Sequence, residues 1–212
     1  MKNNPAFNLA YEEYLFTLGR ECFFLWQNEP AVILGRFTNI DEVNINFVRE
    51  NNIKIVRRNS GGGAVYHDLG NINYSFILHD KKNYSLKFFA GVIINALSKI
   101  GVNGVLTFNH NDLLVNDYKF SGMAQYRRNN ILLHHGTLLF DSDLSIIQKV
   151  LRRSGKVANL KNFLTRDINI QEFMTLLREN INFPCGLPEI NYSPVKKLML
   201  DKYLNPDWNN KI

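Results

Sequence analysis

The chain has 212 residues, 45% of them hydrophobic, and a formal net charge of +6. That length and composition allow a sizeable core, while no window approaches the roughly 20 apolar residues that a bilayer span needs. The positive charges are scattered, with no run of five or six like signs, so the balance favours anionic ligands or an acidic protein partner; neither nucleic acid nor a membrane is expected as a partner.

Residues 5–19 read as a helix, with Asn4 as cap, Pro5 in the first position, Phe7, Ala10, Tyr14 and Leu18 at three- and four-residue spacing, and Gly19 as the stop. Two short strands are expected at 22–27 and 31–34, and Asn28-Glu29-Pro30 between them suits a hairpin. A short helix at 46–51 precedes a strand at 53–56. After another strand at 72–78, residues 84–100 form an amphipathic helix with Leu86, Phe89, Ile93, Leu97 and Ile100 on one face and Gly101 as terminator. Strand signals recur at 104–108, 113–115, 119–125 and 131–140, with Asn116-Asp117 as a hairpin turn. Helices are expected at 143–151 and 169–181, and the segment 183–212 reads as partly irregular. Grouped strands joined by short turns, with helices inserted between the groups, indicate an α+β fold around a largely antiparallel sheet, in one domain spanning 1–212.

The chemistry concentrates in Arg57-Arg58-Asn59-Ser60-Gly61-Gly62-Gly63-Ala64-Val65-Tyr66-His67-Asp68-Leu69-Gly70-Asn71. Three consecutive glycines suit a sharp turn or close backbone approach to a ligand, and amides beside arginines suit an anion. The glycines run into strand-like Ala64-Val65-Tyr66, so neither of the common helix-opening nucleotide loops fits. A second candidate is Asn111-Asp112 followed by Lys119-Phe120-Ser121-Gly122, where a lysine beside two small residues suits neutralising a carboxylate and a phosphate together. A third is His134-His135-Gly136-Thr137: adjacent strand residues face opposite ways, so at most one imidazole faces a pocket. Cys22 and Cys185 follow no metal spacing. Cys22 reads as a core residue, and Cys185, in a turn, is a candidate nucleophile.

These segments resemble the lipoate-protein ligase family within the biotin and lipoate ligases. The matches are Asn4-Pro5-Ala6-Phe7-Asn8-Leu9-Ala10 with Glu12-Glu13, Leu25-Trp26-Gln27-Asn28, Val32-Ile33-Leu34-Gly35-Arg36, the glycine stretch, Asn111-Asp112, Lys119-Phe120-Ser121-Gly122 and His135-Gly136-Thr137-Leu138-Leu139. The resemblance implies a two-step reaction: lipoate attacks the α-phosphate of ATP, and an acceptor lysine then attacks the lipoyl-adenylate. Carried over by motif, Arg58, Gly63, Ala64, Val65, Tyr66 and Lys119 hold ATP. Lys119, His67 and Val65 hold lipoate, with Lys119 as the catalytic group between the two anions. Asp112, Asn71 and His135 give support, and Asp112 is a candidate ligand for magnesium. From strand placement, Val65, Val32 and Phe76 are expected to line the acyl tunnel. The implied acceptors are lipoyl domains of 2-oxoacid dehydrogenase complexes and the glycine cleavage H protein; Met1-Lys2-Asn3-Asn4-Pro5 has no apolar core of a signal peptide, so a cytoplasmic location is expected.

Three departures from the family pattern stand out: little sequence precedes Asn4, the basic loop at 152–159 is short, and the sequence ends where larger ligases continue into an accessory domain. They leave open a separate accessory subunit, transfer of a ready-made adenylate, a Cys185-dependent lipoyl or octanoyl transferase, and a noncatalytic ligand-binding homologue.

Overall fold

A computed structural model describes residues 3–152, 155–184 and 191–210. The first helix, α1 (Pro5–Leu18), starts where the Asn4 side chain accepts the Phe7 N–H and ends at Gly19 in the left-handed conformation. Its buried residues include Asn8 and Glu12, so the helix carries polar groups into the interior.

Two sheets follow. The larger has six strands, all antiparallel, in the order β1 (Cys22–Trp26), β5 (Asn71–His79), β9 (Ile131–Leu139), β8 (Tyr118–Arg128), β7 (Asp112–Val115) and β6 (Leu106–Asn109). The smaller has the order β3 (Lys54–Arg57), β2 (Ala31–Leu34) and β4 (Val65–His67), with β2 parallel to β3 and antiparallel to β4. The α+β class with a largely antiparallel sheet is therefore as expected.

The expected hairpin of the first two strands is not formed: β1 pairs β5, while β2 crosses into the small sheet. Both strands are buried along their whole length, so each needs cover on both faces. The chain between them turns away, and Asn28 is buried there with its side chain bound to Asn8 and His67. The glycine stretch joins β3 to β4 within the small sheet, and residues 68–70 carry the chain on to β5.

Helices α3 (Leu86–Ile100) and α5 (Ile170–Asn180) cover one face of the large sheet, burying Phe89, Ile93, Leu97, Phe173 and Leu177 with Phe23, Tyr74 and Phe76. The other face packs against α1 and the small sheet through Phe24, Trp26, Ile33 and Leu133. Two shorter helices, α2 (Ile45–Glu50) and α4 (Leu144–Val150), close the outer side of the small sheet. The C-terminal segment is more regular than its composition suggested: α6 (Tyr192–Leu198) and α7 (Pro206–Asn209) are joined through a wide helical turn at Met199–Tyr203, and Val195 and Tyr203 are buried against α1. Among the described residues no helix is long and apolar enough to cross a membrane.

Candidate active site

Strand register sets one wall of the site. Trp26 on β1 lies opposite Asn73 on β5, which lies opposite Thr137 on β9, and the Thr137 hydroxyl accepts the Gly122 N–H of β8 at 3.2 Å. The facing wall comes from the small sheet, where Ile33 pairs with Val65 and Ala31 with His67. Between the walls lies a cavity of about 210 Å³ lined by residues of both sheets. A second cavity of about 90 Å³ adjoins it, lined by Tyr66, Ile147 and Val157. Lys119, Gly122, Thr137, Ala64 and Val65 line both.

The two arginines before the glycines have different work. Arg57 is fully buried and donates to the carbonyls of Gly35 at 2.7 Å, Thr38 at 2.8 Å and Asn209 at 3.0 Å. It ties the small sheet to α7 and does not line the cavity. Arg58 does line it, with Nε donating to Ser60 Oγ at 2.9 Å, Nη1 to the Ile33 carbonyl at 3.1 Å and Nη2 to the Gly61 carbonyl at 2.6 Å. Those bonds use three of its five N–H donors. Burial, with Arg57 adding to it and Glu12 opposing it, lowers the Arg58 pKa to about 10, so it stays a cation at neutral pH. The turn itself is tightly fitted: a Cβ at Gly35 would run into the Gly62 carbonyl oxygen, and Gly62 has φ +87°, a conformation that excludes most side chains. Behind it, Lys202 Nζ bonds Asn59 Oδ1 at 2.6 Å and Glu13 at 2.9 Å, so the C-terminal segment braces the loop's start.

Ser60 begins a buried relay. His135 Nε2 is 2.6 Å from Ser60 Oγ, and its Nδ1 is 3.0 Å from both oxygens of Glu12. The Glu12 carboxylate also accepts from Ser75 Oγ at 2.5 Å, and Ser75 Oγ accepts from Trp26 Nε1 at 2.9 Å. Nδ1 donates to the carboxylate, and Nε2 and the Ser60 hydroxyl share the next hydrogen bond. Carboxylate, imidazole and hydroxyl stand in the order of a nucleophilic triad, yet Ser60 is fully buried and its oxygen receives Arg58 Nε. The relay therefore fixes Arg58 in place and compensates its charge with Glu12.

A second relay fixes His67. Asn8 Nδ2 donates to the Gln27 carbonyl and to Asn28 Oδ1, both at 2.9 Å, which sets the Asn28 amide so that its Nδ2 meets His67 Nδ1 at 3.0 Å. Nδ1 is then an acceptor and the ring proton is on Nε2. Burial, reinforced by Arg58 and His135, pushes the His67 pKa down to about 3. The ring is neutral throughout the physiological range.

Lys119 Nζ is 2.8 Å from Asp112 Oδ1. A register shift in the β7–β8 pairing places Asp112 opposite Gly122 and Leu114 opposite Lys119, and Lys119 Nζ lies 3.4 Å from where a Cβ at Gly122 would stand. The lysine backbone is held too: its N–H donates to the Lys156 carbonyl at 2.9 Å, and its carbonyl accepts from Ala158 N–H at 3.0 Å. The described part of the short basic loop is thus stitched to the strand that carries the lysine.

The sequence profile of the lipoyl protein ligase A/B catalytic domain matches residues 4–182. The chain belongs to that family. Lipoate–protein ligase 1 of Staphylococcus aureus is 36% identical over 97% of this chain and 70% of its own length, and the lipoate-protein ligase LplJ of Bacillus subtilis is 36% identical over 98% and 70%. Among solved structures, a lipoate-protein ligase A bound with ATP superposes with a TM-score of 0.86 at 25% identity, covering 98% of this chain and 94% of that one. The bipartite lipoate protein ligase of Thermoplasma acidophilum, solved with its E2 lipoyl domain, gives 0.86 at 25% identity over 99% and 93%. A T. acidophilum protein solved with bound lipoic acid gives 0.85 at 26% identity over 100% and 96%.

Of the residues singled out from sequence, Arg58, Gly63, Ala64, Val65, His67, Lys119 and His135 all line the larger cavity. Tyr66 points the other way along β4 and lines the smaller one. Asp112 reaches the site through Lys119, and Asn71 supports it from behind by donating to Asn73 Oδ1 at 3.0 Å. Of the three expected tunnel residues, Val65 lines both of these cavities and the other two line neither; Val32 packs in the outer core of the small sheet and Phe76 in the core under α3, because strand alternation turns both away. His134 likewise faces the core, stacked on Phe89 with ring centroids 4.0 Å apart. Cys22 is buried with its thiol pushed up to about 12 by burial and Glu12, and Cys185 lies outside the described residues. Sequence reasoning missed the roles of Glu12, Ser60, Asn28 and Asn73 and the presence of Glu42 in the lining. A glutamate among Leu9, Ala10, Leu15 and Phe16 was the available signal for the first.

Proposed function

We propose that this chain is an ATP-dependent lipoate-protein ligase: it joins lipoate to AMP and passes the lipoyl group to a lysine of an acceptor lipoyl domain. The observation that carries the reading is the position of Lys119, a cation lining both adjoining cavities. The larger, walled by Leu9, Trp26, Ile33 and Val65, suits an apolar acyl chain, and the smaller suits part of the nucleotide. Membership of the family, the lipoate ligases among its relatives and the structural neighbours with ATP and lipoic acid support the assignment of substrates.

In this reading one carboxylate oxygen of lipoate attacks the α-phosphorus of ATP and pyrophosphate leaves; the acceptor amine then attacks the acyl carbon and AMP leaves. The obstacle in the first step is bringing two anions together. Lys119 sits where it neutralises both, while Arg58 and the backbone at Gly63, Ala64, Val65 and Tyr66 hold the nucleotide, and His67 and Val65 hold the lipoate. Held by its strand and by Asp112, the ammonium needs little reorganisation. Among the described residues no three His, Cys, Asp or Glu side chains group as a metal site. Magnesium is commonly held by one or two carboxylates together with substrate phosphates; Asp112, beside Lys119, and Glu42, in the lining of the larger cavity, are the carboxylates that would serve. When bound, the ion neutralises phosphate charge.

The acceptor we propose is a lipoyl domain of a 2-oxoacid dehydrogenase complex or the glycine cleavage H protein, met in the cytoplasm, with residues 1–212 working as one catalytic domain, alone or with an accessory subunit. The lipoyl domain solved with the T. acidophilum ligase supports this class of partner. Lipoate-dependent exchange of labelled pyrophosphate into ATP tests the first step: exchange in the wild type and its loss in Lys119→Ala are expected, and exchange that does not need lipoate refutes the substrate assignment.

A further inference from the structure

The relay that ends on His67 leaves one group unused. His67 is 3% exposed and lines the larger cavity, and its Nε2, which bears the ring proton, is buried without a hydrogen-bond partner among the described residues. Its tautomer is not free to change. The Gln27 backbone carbonyl can only accept, which orients Asn8, which orients Asn28, which makes His67 Nδ1 the acceptor. A donor locked in this way and buried without an acceptor costs free energy unless a ligand supplies one.

Its position says which part of a ligand it meets. The His67 ring lies edge-on to Trp26, with centroids 6.2 Å apart, and Trp26 stands opposite Asn73, whose Nδ2 is also buried and unpartnered. Asn73 and Gly122 are two strand spacings apart through Thr137, about 10 Å. Lys119 Nζ lies over Gly122 on β8, while His67 meets Trp26 on β1, the edge strand beyond β9 and β5, so an acid whose carboxylate is held by Lys119 runs its tail toward His67. At roughly 1.2 Å per bond the tether and ring of lipoate cover about the distance from Gly122 to Asn73, which stands opposite Trp26.

Resting on the ligase reading above, we infer that His67 is a specificity-determining residue: its Nε2–H donates to a sulfur of the dithiolane ring, so the pocket selects an acid with an acceptor at its distal end over a saturated acid of the same length. A disulfide sulfur is a weak acceptor, which suits a moderate preference. A straight-chain octanoyl group offers nothing to the donor and leaves it unpaired.

The test is calorimetric binding of lipoate, octanoate and 5-cyclopentylpentanoate, which keeps the ring and lacks the sulfurs, to the wild-type chain and to His67→Leu. The wild type is expected to bind lipoate about tenfold more tightly than either sulfur-free acid, and His67→Leu to bind all three within about twofold. Equal wild-type affinity for lipoate and the cyclopentyl acid overturns the inference, as does a preference that survives in His67→Leu. Because that variant also strips Asn28 Nδ2 of its acceptor, the wild-type ligand series decides by itself if the variant does not fold. A wild-type chain that binds none of the three acids overturns the ligase reading, and this inference with it.

Discussion

Lys119 Nζ lies 2.8 Å from Asp112 Oδ1, and this oxygen is buried without a properly angled hydrogen bond. The contact is an ion pair that positions the ammonium without engaging it fully, leaving its protons for substrate oxygens. Lys119→Ala is expected to lower lipoate-dependent pyrophosphate exchange by about 10²- to 10³-fold, in line with removing one charge-stabilising donor. Asp112→Asn should fall less, by about tenfold, with the unfolding midpoint of both variants close to the wild type, since both side chains are about one-third exposed. Equal losses in the two variants would place the chemistry on the carboxylate.

Arg57 and Arg58 separate by readout. Arg57 holds carbonyls of the small sheet and α7, so Arg57→Leu should cost about 3 kcal/mol in urea unfolding by leaving those acceptors buried and unpaired. Arg58→Lys keeps a charge yet cannot reproduce the three-way donation to Ser60, Ile33 and Gly61, and is expected to raise KM for ATP with a smaller change in stability. An unaltered KM in Arg58→Lys would remove Arg58 from the nucleotide site.

The turn at Gly35 is as demanding as the glycines themselves. Gly35→Ala sets a methyl against the Gly62 carbonyl and should cost about 1–3 kcal/mol, or shift the loop and abolish adenylation. Wild-type activity with wild-type stability would show that the turn yields.

Two buried histidines give a pH dependence of known sign. Burial is the leading cause holding His67 down to about 3 and His134 well below its ordinary value of 6.5. In the unfolded chain both titrate near 6.5, so below that pH the unfolded state binds protons that the native state refuses. Stability is therefore intact above about pH 6.5 and is lost as the pH falls toward 3, with a limiting slope of about 1.4 kcal/mol per pH unit for each ring. Urea midpoints between pH 7 and 5 measure it; a midpoint that rises on acidification contradicts the neutral, buried assignment.

How far the site could be read in advance follows from how each residue acts. Helix α3 was legible because Phe89, Ile93, Leu97 and Ile100 recur at helical spacing, with Gly101 as stop. The β1–β2 connection was misread because Cys22-Phe23-Phe24-Leu25-Trp26 is apolar on both faces, and a strand without alternation does not name its neighbour. Val32 and Phe76 were placed on the correct strands and the wrong faces, since one residue of parity reverses direction. Lys119 and the glycine stretch stood out from residue type and order, and the fold brings them to one cavity. The supports behind them, Glu12 for His135 and Asn8 with Asn28 for His67, depend on contacts between distant parts of the chain that no local pattern encodes.

The central claim is that this fold joins lipoate to a protein lysine at the expense of ATP. Mass spectrometry of an isolated lipoyl domain tests it most directly, after incubation with this chain, ATP, magnesium and lipoate, and in parallel with preformed lipoyl-adenylate. One added lipoyl group on the acceptor lysine in both arms, absent with Lys119→Ala in the ATP arm, is the predicted result. An acceptor that stays unmodified even with lipoyl-adenylate supplied would contradict it.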